Sequence, residues 1–251
     1  MAKDNETYIV KQKDTDAIVR LQDPTAMQEF LEQPLTIIAE VLTGWLASGP
    51  TVWAGAGLRI AHAAFKARVF QQFSKELKEL RQKGEICGDF AEKKNGYESW
   101  VELLTILDEE VPNEDRLDAL KAMFFGVNRT NISDGERILN YQLFQIAKSL
   151  HSGELLLLKT SYQRFLSGHL SQGISKNLID WCREVAQLQG HYLTALMEKN
   201  ERALVDQGLL SPRSGNPGAP VINDFQGRMT DLGIKFCENL ESYKIETAPK
   251  K

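Results

Sequence analysis

SDGERILNYQLFQIAKSLHSGELLLL, residues 133–158, is the stretch whose reading decides the fold class. Ser133 is followed three residues later by Glu136. At that spacing a hydroxyl and a carboxylate satisfy each other's backbone N–H at a helix start. Ile138, Tyr141, Ile146 and Leu150 follow in the helix so opened. Ser152 opens a second helix, and its Leu155-Leu156-Leu157-Leu158 run is apolar on every side, which predicts a place central to the core.

The same start and stop signals recur on both sides. Upstream, Asn113 precedes Glu114 and Asp115, a cap with acids in the first turn that suits the helix dipole. It predicts a helix over 114–126 with Leu117, Leu120 and Phe124 inward. Before it, 97–110 reads as a helix with Val101, Leu104 and Leu107 inward, and the chain from Gly84 to Asn95-Gly96 reads as a loop. Downstream, Ser175 opens a helix carrying Leu178, Ile179, Cys182, Val185 and Leu188. The expected fold class is therefore mainly α.

Residues 35–64 are the most apolar part of the chain, with no charged residue between Val41 and Leu58. Ser48-Gly49-Pro50 breaks this segment, because proline lacks a backbone donor and its predecessor disfavours the α region. Each half is then too short to span a bilayer. A helical hairpin is expected, Leu35 to Ala47 and Thr51 onward, with Gly44, Gly55 and Gly57 allowing close approach. It reads either as a packed pair in a core or as a hairpin that inserts at a membrane surface. The second arm runs unbroken to Lys83. Phe70, Phe73, Leu77 and Leu80 form one apolar stripe on it, and Gly84 is its stop signal. From Arg59 to Lys83 there are seven basic and two acidic residues, whereas Glu85 to Asp118 holds eleven acids and three bases. Either the basic helix docks beside the acidic ones, or it faces anionic lipid, which attracts clustered Lys and Arg. Leu42, Trp45, Leu46, Trp53, Lys66, Arg68 and Lys75 are the candidate partner or membrane contacts.

Catalytic patterns are missing. There is no HExxH, GxSxG or P-loop, and Gly55-Ala56-Gly57 lacks the third glycine and the preceding strand of a dinucleotide site. His62, His151, His169 and His191 are scattered, and Cys87, Cys182 and Cys237 form no CxxC pair, so no zinc site or disulfide framework is expected. Cys182 and Cys237 read as core thiols. Asp108, Glu109, Glu110, Glu114 and Asp115 surround a helix–helix turn. That cluster reads as helix capping before it reads as a cation site. The polar Met1–Lys13 segment lacks the apolar region of a secretion signal. No catalytic residue, cofactor or metal is expected.

The last third has a different order. A helix over 191–207 ends at Gly208, Leu209-Leu210 enters a turn-rich segment, Val221 to Phe225 and Gly227 to Thr230 read as short strands, and a final helix covers 231–243. This ending resembles the winged-helix family over about residues 175–243. In DNA-binding members of that family the helix before the wing enters the major groove. Here 191–208 holds two bases against three acids, and only Arg213 and Arg228 are placed for nucleic-acid contact. DNA binders need several phosphate contacts, so a protein contact or structural cap is the first reading and DNA the second.

Taken in order, the chain is similar to the bacterial Abi-alpha abortive-infection type of protein. The likeness rests on the apolar Gly-containing segment 35–57, the basic helix ending at Lys83, the Leu150-His151-Ser152-Gly153-Glu154-Leu155 junction and the Leu209-Leu210 … Met229-Thr230-Asp231-Leu232-Gly233 ending. The resemblance implies a bacterial accessory protein in phage defence and supplies no catalytic residues. The expected organisation is a polar segment 1–34, a helical domain 35–174 with the apolar hairpin and basic helix, a winged-helix-like α+β module 175–243, and a polar tail 244–251. The expected function is non-enzymatic and acts through a protein partner or homo-oligomer, with membrane contact through residues 35–83. A winged-helix DNA-binding transcriptional regulator is the alternative. The expected location is cytoplasmic, with an anionic surface at the inner membrane face as a further contact.

Overall fold

The computed structural model describes residues 53–109, 113–166, 194–212 and 228–247, and the side chains of its first helix from Arg68 onward. These residues are mainly α. The helices are α1 (Trp53–Gln82), α2 (Lys94–Glu109), α3 (Glu114–Val127), α4 (Asp134–Ser149), α5 (Ser152–Leu166), α6 (Thr194–Asp206) and α7 (Asp231–Thr247), with a 3-10 turn at Phe90–Glu92. Among the described residues β pairing is limited to two isolated antiparallel bridges, Ile86 with Arg129 and Leu210 with Met229. The first arm of the apolar hairpin, the helix expected from Ser175, Cys182, the expected strand at 221–225 and the domain boundary expected at 174/175 all lie outside the described residues.

The chain forms two compact units that interleave in sequence. The first is Met1–Pro112 with Val127–Ile138, and the second is Asn113–Gly126 with Leu139–Lys251.

In the first unit, Phe70, Phe73, Leu77 and Leu80 of α1 are buried, as their spacing predicts. Phe73 stacks on Trp100 of α2 at 5.9 Å between ring centroids, and Phe90 meets Trp100 edge-on at 6.2 Å. Leu103, Leu104 and Leu107 complete the α2 side, while Val101 is only half-buried. α1 ends as expected. Gly84 takes φ +74°, its N–H donates to the Arg81 carbonyl and the Glu85 N–H donates to the Leu80 carbonyl, both at 3.0 Å. That pair of bonds satisfies carbonyls the helix leaves open and needs a left-handed residue that glycine supplies without strain.

α2 begins at Lys94, three residues before its expected start, and takes Gly96 into its first turn. The backbone there lies against the 3-10 turn, and a Cβ on Gly96 would stand 2.2 Å from the Phe90 carbonyl oxygen. Only glycine permits that approach. Cys87 N–H donates to Asn128 O and Thr130 N–H to Glu85 O, each at 2.9 Å, so 127–130 is laced along 85–87.

In the second unit, Asn113 Oδ1 accepts the Arg116 N–H at 3.0 Å, the cap its sequence predicts. α3 buries Leu120 and Phe124, with Ala119, Ala122, Met123 and Phe125 as well, and leaves Leu117 half-buried. Phe125 stacks on Tyr243 of α7 at 5.5 Å. α5 packs against α6 and α7. Of its four leucines, Leu155, Leu157 and Leu158 are buried, but Leu156 is 45% exposed. The run is therefore one broad face rather than an all-round core helix, because α5 has neighbours on one side and solvent on the other.

α4 corrects the reading of 138–150. Its capping box forms: Ser133 N–H donates to Glu136 Oε2 at 2.9 Å and Glu136 N–H to Ser133 Oγ at 3.2 Å. Ile138, however, is 53% exposed, and Arg137, Asn140, Leu143, Phe144 and Ala147 are buried. The polar pair faces inward because it answers open carbonyls at the end of α3. Arg137 Nη1 donates to Val127 O at 2.7 Å within the first unit, and Asn140 Nδ2 to Gly126 O at 2.9 Å within the second. α7 also extends past its expected end at Tyr243 to Thr247, so the segment 244–247 of the expected polar tail is helical.

Candidate contact surface

The charged flank of α1 follows from the same spacing that builds its core face. With Phe70, Phe73, Leu77 and Leu80 turned inward, Arg68, Gln71, Lys75, Lys78 and Gln82 fall on the opposite side, and all five are exposed. Their intervals of three and four residues align them along the helix, over about 20 Å at 1.5 Å per residue. Lys75 Nζ lies 3.9 Å from Glu79 Oε1, an exposed pair along the same helix and weak for that reason. Arg68 and Lys75, two of the expected contacts, are thus presented to solvent. Trp53 and Lys66 lie within α1, but their side chains, like Leu42, Trp45 and Leu46 entirely, are outside the described residues.

The acidic stretch after α1 is also exposed at Glu85, Asp89 and Glu92. Asp89 pairs with Lys93 at 3.1 Å, which holds its carboxyl below the usual range and raises the lysine. Asp115 pairs with Lys159 at 2.5 Å. Asp118 is half-buried, and desolvation pushes its carboxyl up despite the nearby Lys121, Lys244 and Lys159. Among the described residues no group of His, Cys, Asp and Glu is arranged to hold a metal ion. Asp115 instead serves a lysine and sits in the first turn of α3, the capping reading of the acidic cluster.

Arg228, expected on the surface, turns inward. Its side chain is 2% exposed and its Nη2 lies 2.6 Å from Glu201 Oε1 of α6, itself 9% exposed. Nη2 and Nε also donate to the Ser211 carbonyl at 3.0 and 3.3 Å, and Ser211 N–H returns a bond to Arg228 O at 2.7 Å. Thr230 Oγ1 donates to Gly208 O at 2.7 Å and accepts the Gly233 N–H at 3.0 Å, capping α7. Arg228 therefore braces the corner between α6 and α7. The sequence offered no signal for this, because the acid that draws it inward comes from another helix. Arg213 lies outside the described residues.

The thiols differ. Cys237 is 2% exposed, and burial, then Glu241, pushes its thiol far above the ordinary range, in line with its reading as a core thiol. Cys87 is half-buried and its Sγ donates to Arg129 O at 3.3 Å. No helix among the described residues is long and apolar enough to cross a membrane. Comparison with known proteins finds no family model that matches, no match among curated proteins and none among solved structures.

Proposed function

We propose that this chain is a non-enzymatic protein that acts by association, with α1 as its contact element and an anionic surface as its partner. The observation that carries the reading is the exposed line Arg68, Lys75 and Lys78 on α1, opposite the buried Phe70, Phe73, Leu77 and Leu80. A helix held by its apolar face presents its charges in a fixed row, and a row of Lys and Arg is attracted to anionic headgroups. The uncharged segment Val41 to Leu58 leads into this helix and supplies the apolar half of a peripheral membrane contact. The likeness to abortive-infection proteins sets this association in phage defence. The C-terminal ending, with its isolated Leu210–Met229 bridge and Thr230-capped α7, belongs to the proposal as a protein contact or structural cap, since its buried Arg228 serves the corner.

Flotation with anionic and with neutral vesicles tests the reading. Each Lys or Arg near an anionic surface contributes about 1 kcal/mol. The Arg68→Gln/Lys75→Gln/Lys78→Gln variant is therefore expected to lose on the order of a hundredfold in partitioning to anionic vesicles. Equal flotation of variant and wild type, or none of either, would remove the reading.

A further inference from the structure

The row Arg68, Gln71, Lys75, Lys78 and Gln82 limits how the flank of α1 can meet a partner. All five side chains are exposed on the outer side of one helix, a convex face. Sites that tell one small ligand from another are concave and converge a few polar groups on it. Here the bases stand in line instead. By the helical rise Arg68 lies about 10 Å from Lys75, and Lys75 about 5 Å from Lys78. Arg68, the one guanidinium of the three, thus stands two turns from the next base of the row. The line also sets an orientation. Arg68 and Lys78 are about 15 Å apart along the axis, more than the roughly 8 Å over which a surface potential decays at physiological ionic strength. All three bases feel the field together only when the helix lies along the surface. We infer, resting on the proposed role of α1, that this flank reads the charge density of a membrane: it lies flat on the bilayer and takes any singly charged anionic headgroup.

Glu79 tunes the response. It is the only acid exposed among the described side chains of α1, and its Oε1 stands 3.9 Å from Lys75 Nζ. It opposes the three bases and keeps the attraction weak where negative lipid is sparse. Between a surface potential of about −30 mV and one of about −50 mV, each base multiplies partitioning by about two, and the three together by about ten. Glu79 divides that gain by about two. The chain therefore chooses among membranes by how much negative lipid they hold, and headgroup identity does not enter.

Flotation of the full chain is the test, with phosphatidylcholine vesicles carrying phosphatidylglycerol, phosphatidylserine or phosphatidylinositol, adjusted to equal surface potential. Partitioning should agree within about twofold across the three headgroups and rise with potential in each. Arg68→Gln/Lys75→Gln/Lys78→Gln should flatten that rise about tenfold between about −30 and about −50 mV. Glu79→Gln should bind about threefold more tightly than wild type at about −30 mV and steepen the rise about twofold. The gain should be confined to anionic vesicles, which separates the loss of an acid from misfolding. One headgroup favoured more than about tenfold at equal potential, or Glu79→Gln indistinguishable from wild type, overturns the inference and leaves the anionic-membrane reading standing. Flotation with none of the three removes both.

Discussion

Replacing Arg228 by methionine removes a buried guanidinium and keeps much of its apolar stem. The structure sets the magnitude. Glu201, 9% exposed, has this cation at 2.6 Å, and the Ser211 carbonyl takes two of its N–H groups. Breaking a buried ion pair by removing one partner costs about 3–5 kcal/mol, mostly because the remaining charge stays desolvated. For a chain of this size about 1 kcal/mol moves the melting temperature by roughly 2–4 °C, so Arg228→Met should lower it by roughly 6–20 °C. Removing both charges is a different perturbation. Glu201→Leu/Arg228→Met leaves no orphaned carboxylate, and about 1–3 kcal/mol of the single-variant loss should return as coupling. Urea unfolding followed by far-ultraviolet dichroism, with hydrogen exchange at Leu209 and Thr230, reads both the total and the corner. A single-variant loss below about 1 kcal/mol, or a double variant as damaged as the sum of the singles, would refute the account of Arg228 as a buried brace.

Two further outcomes follow from local geometry. Gly96→Ala places a Cβ 2.2 Å from the Phe90 carbonyl, so the 3-10 turn must move and stability should fall by about 1–3 kcal/mol. Gly84→Ala has open space around it but φ +74°, so its expected cost is about 1 kcal/mol, and equal losses at the two glycines would contradict this distinction. Cys237 should resist a thiol reagent in the native state that Cys87 takes up. Its raised pKa means the folded chain keeps a proton that the unfolded chain releases, so its contribution is full below the ordinary thiol pKa and lost as pH rises above about 9. A Cys237→Val variant should show a flatter decline of stability in that window, and parallel curves would remove the thiol as the cause.

What was legible in the sequence was local. The Ser133–Glu136 box, the Asn113 cap, the Gly84 stop and the α1 stripe each depend on residues within a turn or two of one another, and each is present. What depended on a second element was read less well. Spacing alone puts Ile138 on the apolar side of α4, yet Arg137 and Asn140 turn inward because open carbonyls at the end of α3 need donors. Composition alone puts Leu156 in the core with its neighbours, yet it is 45% exposed. Asn95-Gly96 reads as the end of a loop, and the use of Gly96 for close backbone approach shows only once Phe90 is in place. Arg228 reads as a surface residue from its place in the turn-rich ending, and Glu201 reverses that.

The candidate surface shows how these levels meet on one helix. Phe70, Phe73, Leu77 and Leu80 form the apolar stripe of the helix, and within the first unit α2 meets it through Phe73 and Trp100. The apolar side of the described part of α1 is therefore already engaged, and its opposite flank presents Arg68, Gln71, Lys75, Lys78 and Gln82. Such a flank offers charge and hydrogen bonds but almost no apolar area, so it lacks the hydrophobic anchor that makes an interface tight. Its binding must depend on ionic strength and on the density of negative charge it meets. That property separates the proposed mode from the two others the sequence had allowed. An apolar hairpin acting alone would bind neutral and anionic vesicles alike, and an apolar helix pair would hold at high salt. A contact that needs negative charge on the vesicle and that salt dissolves is one the exposed flank of α1 can make.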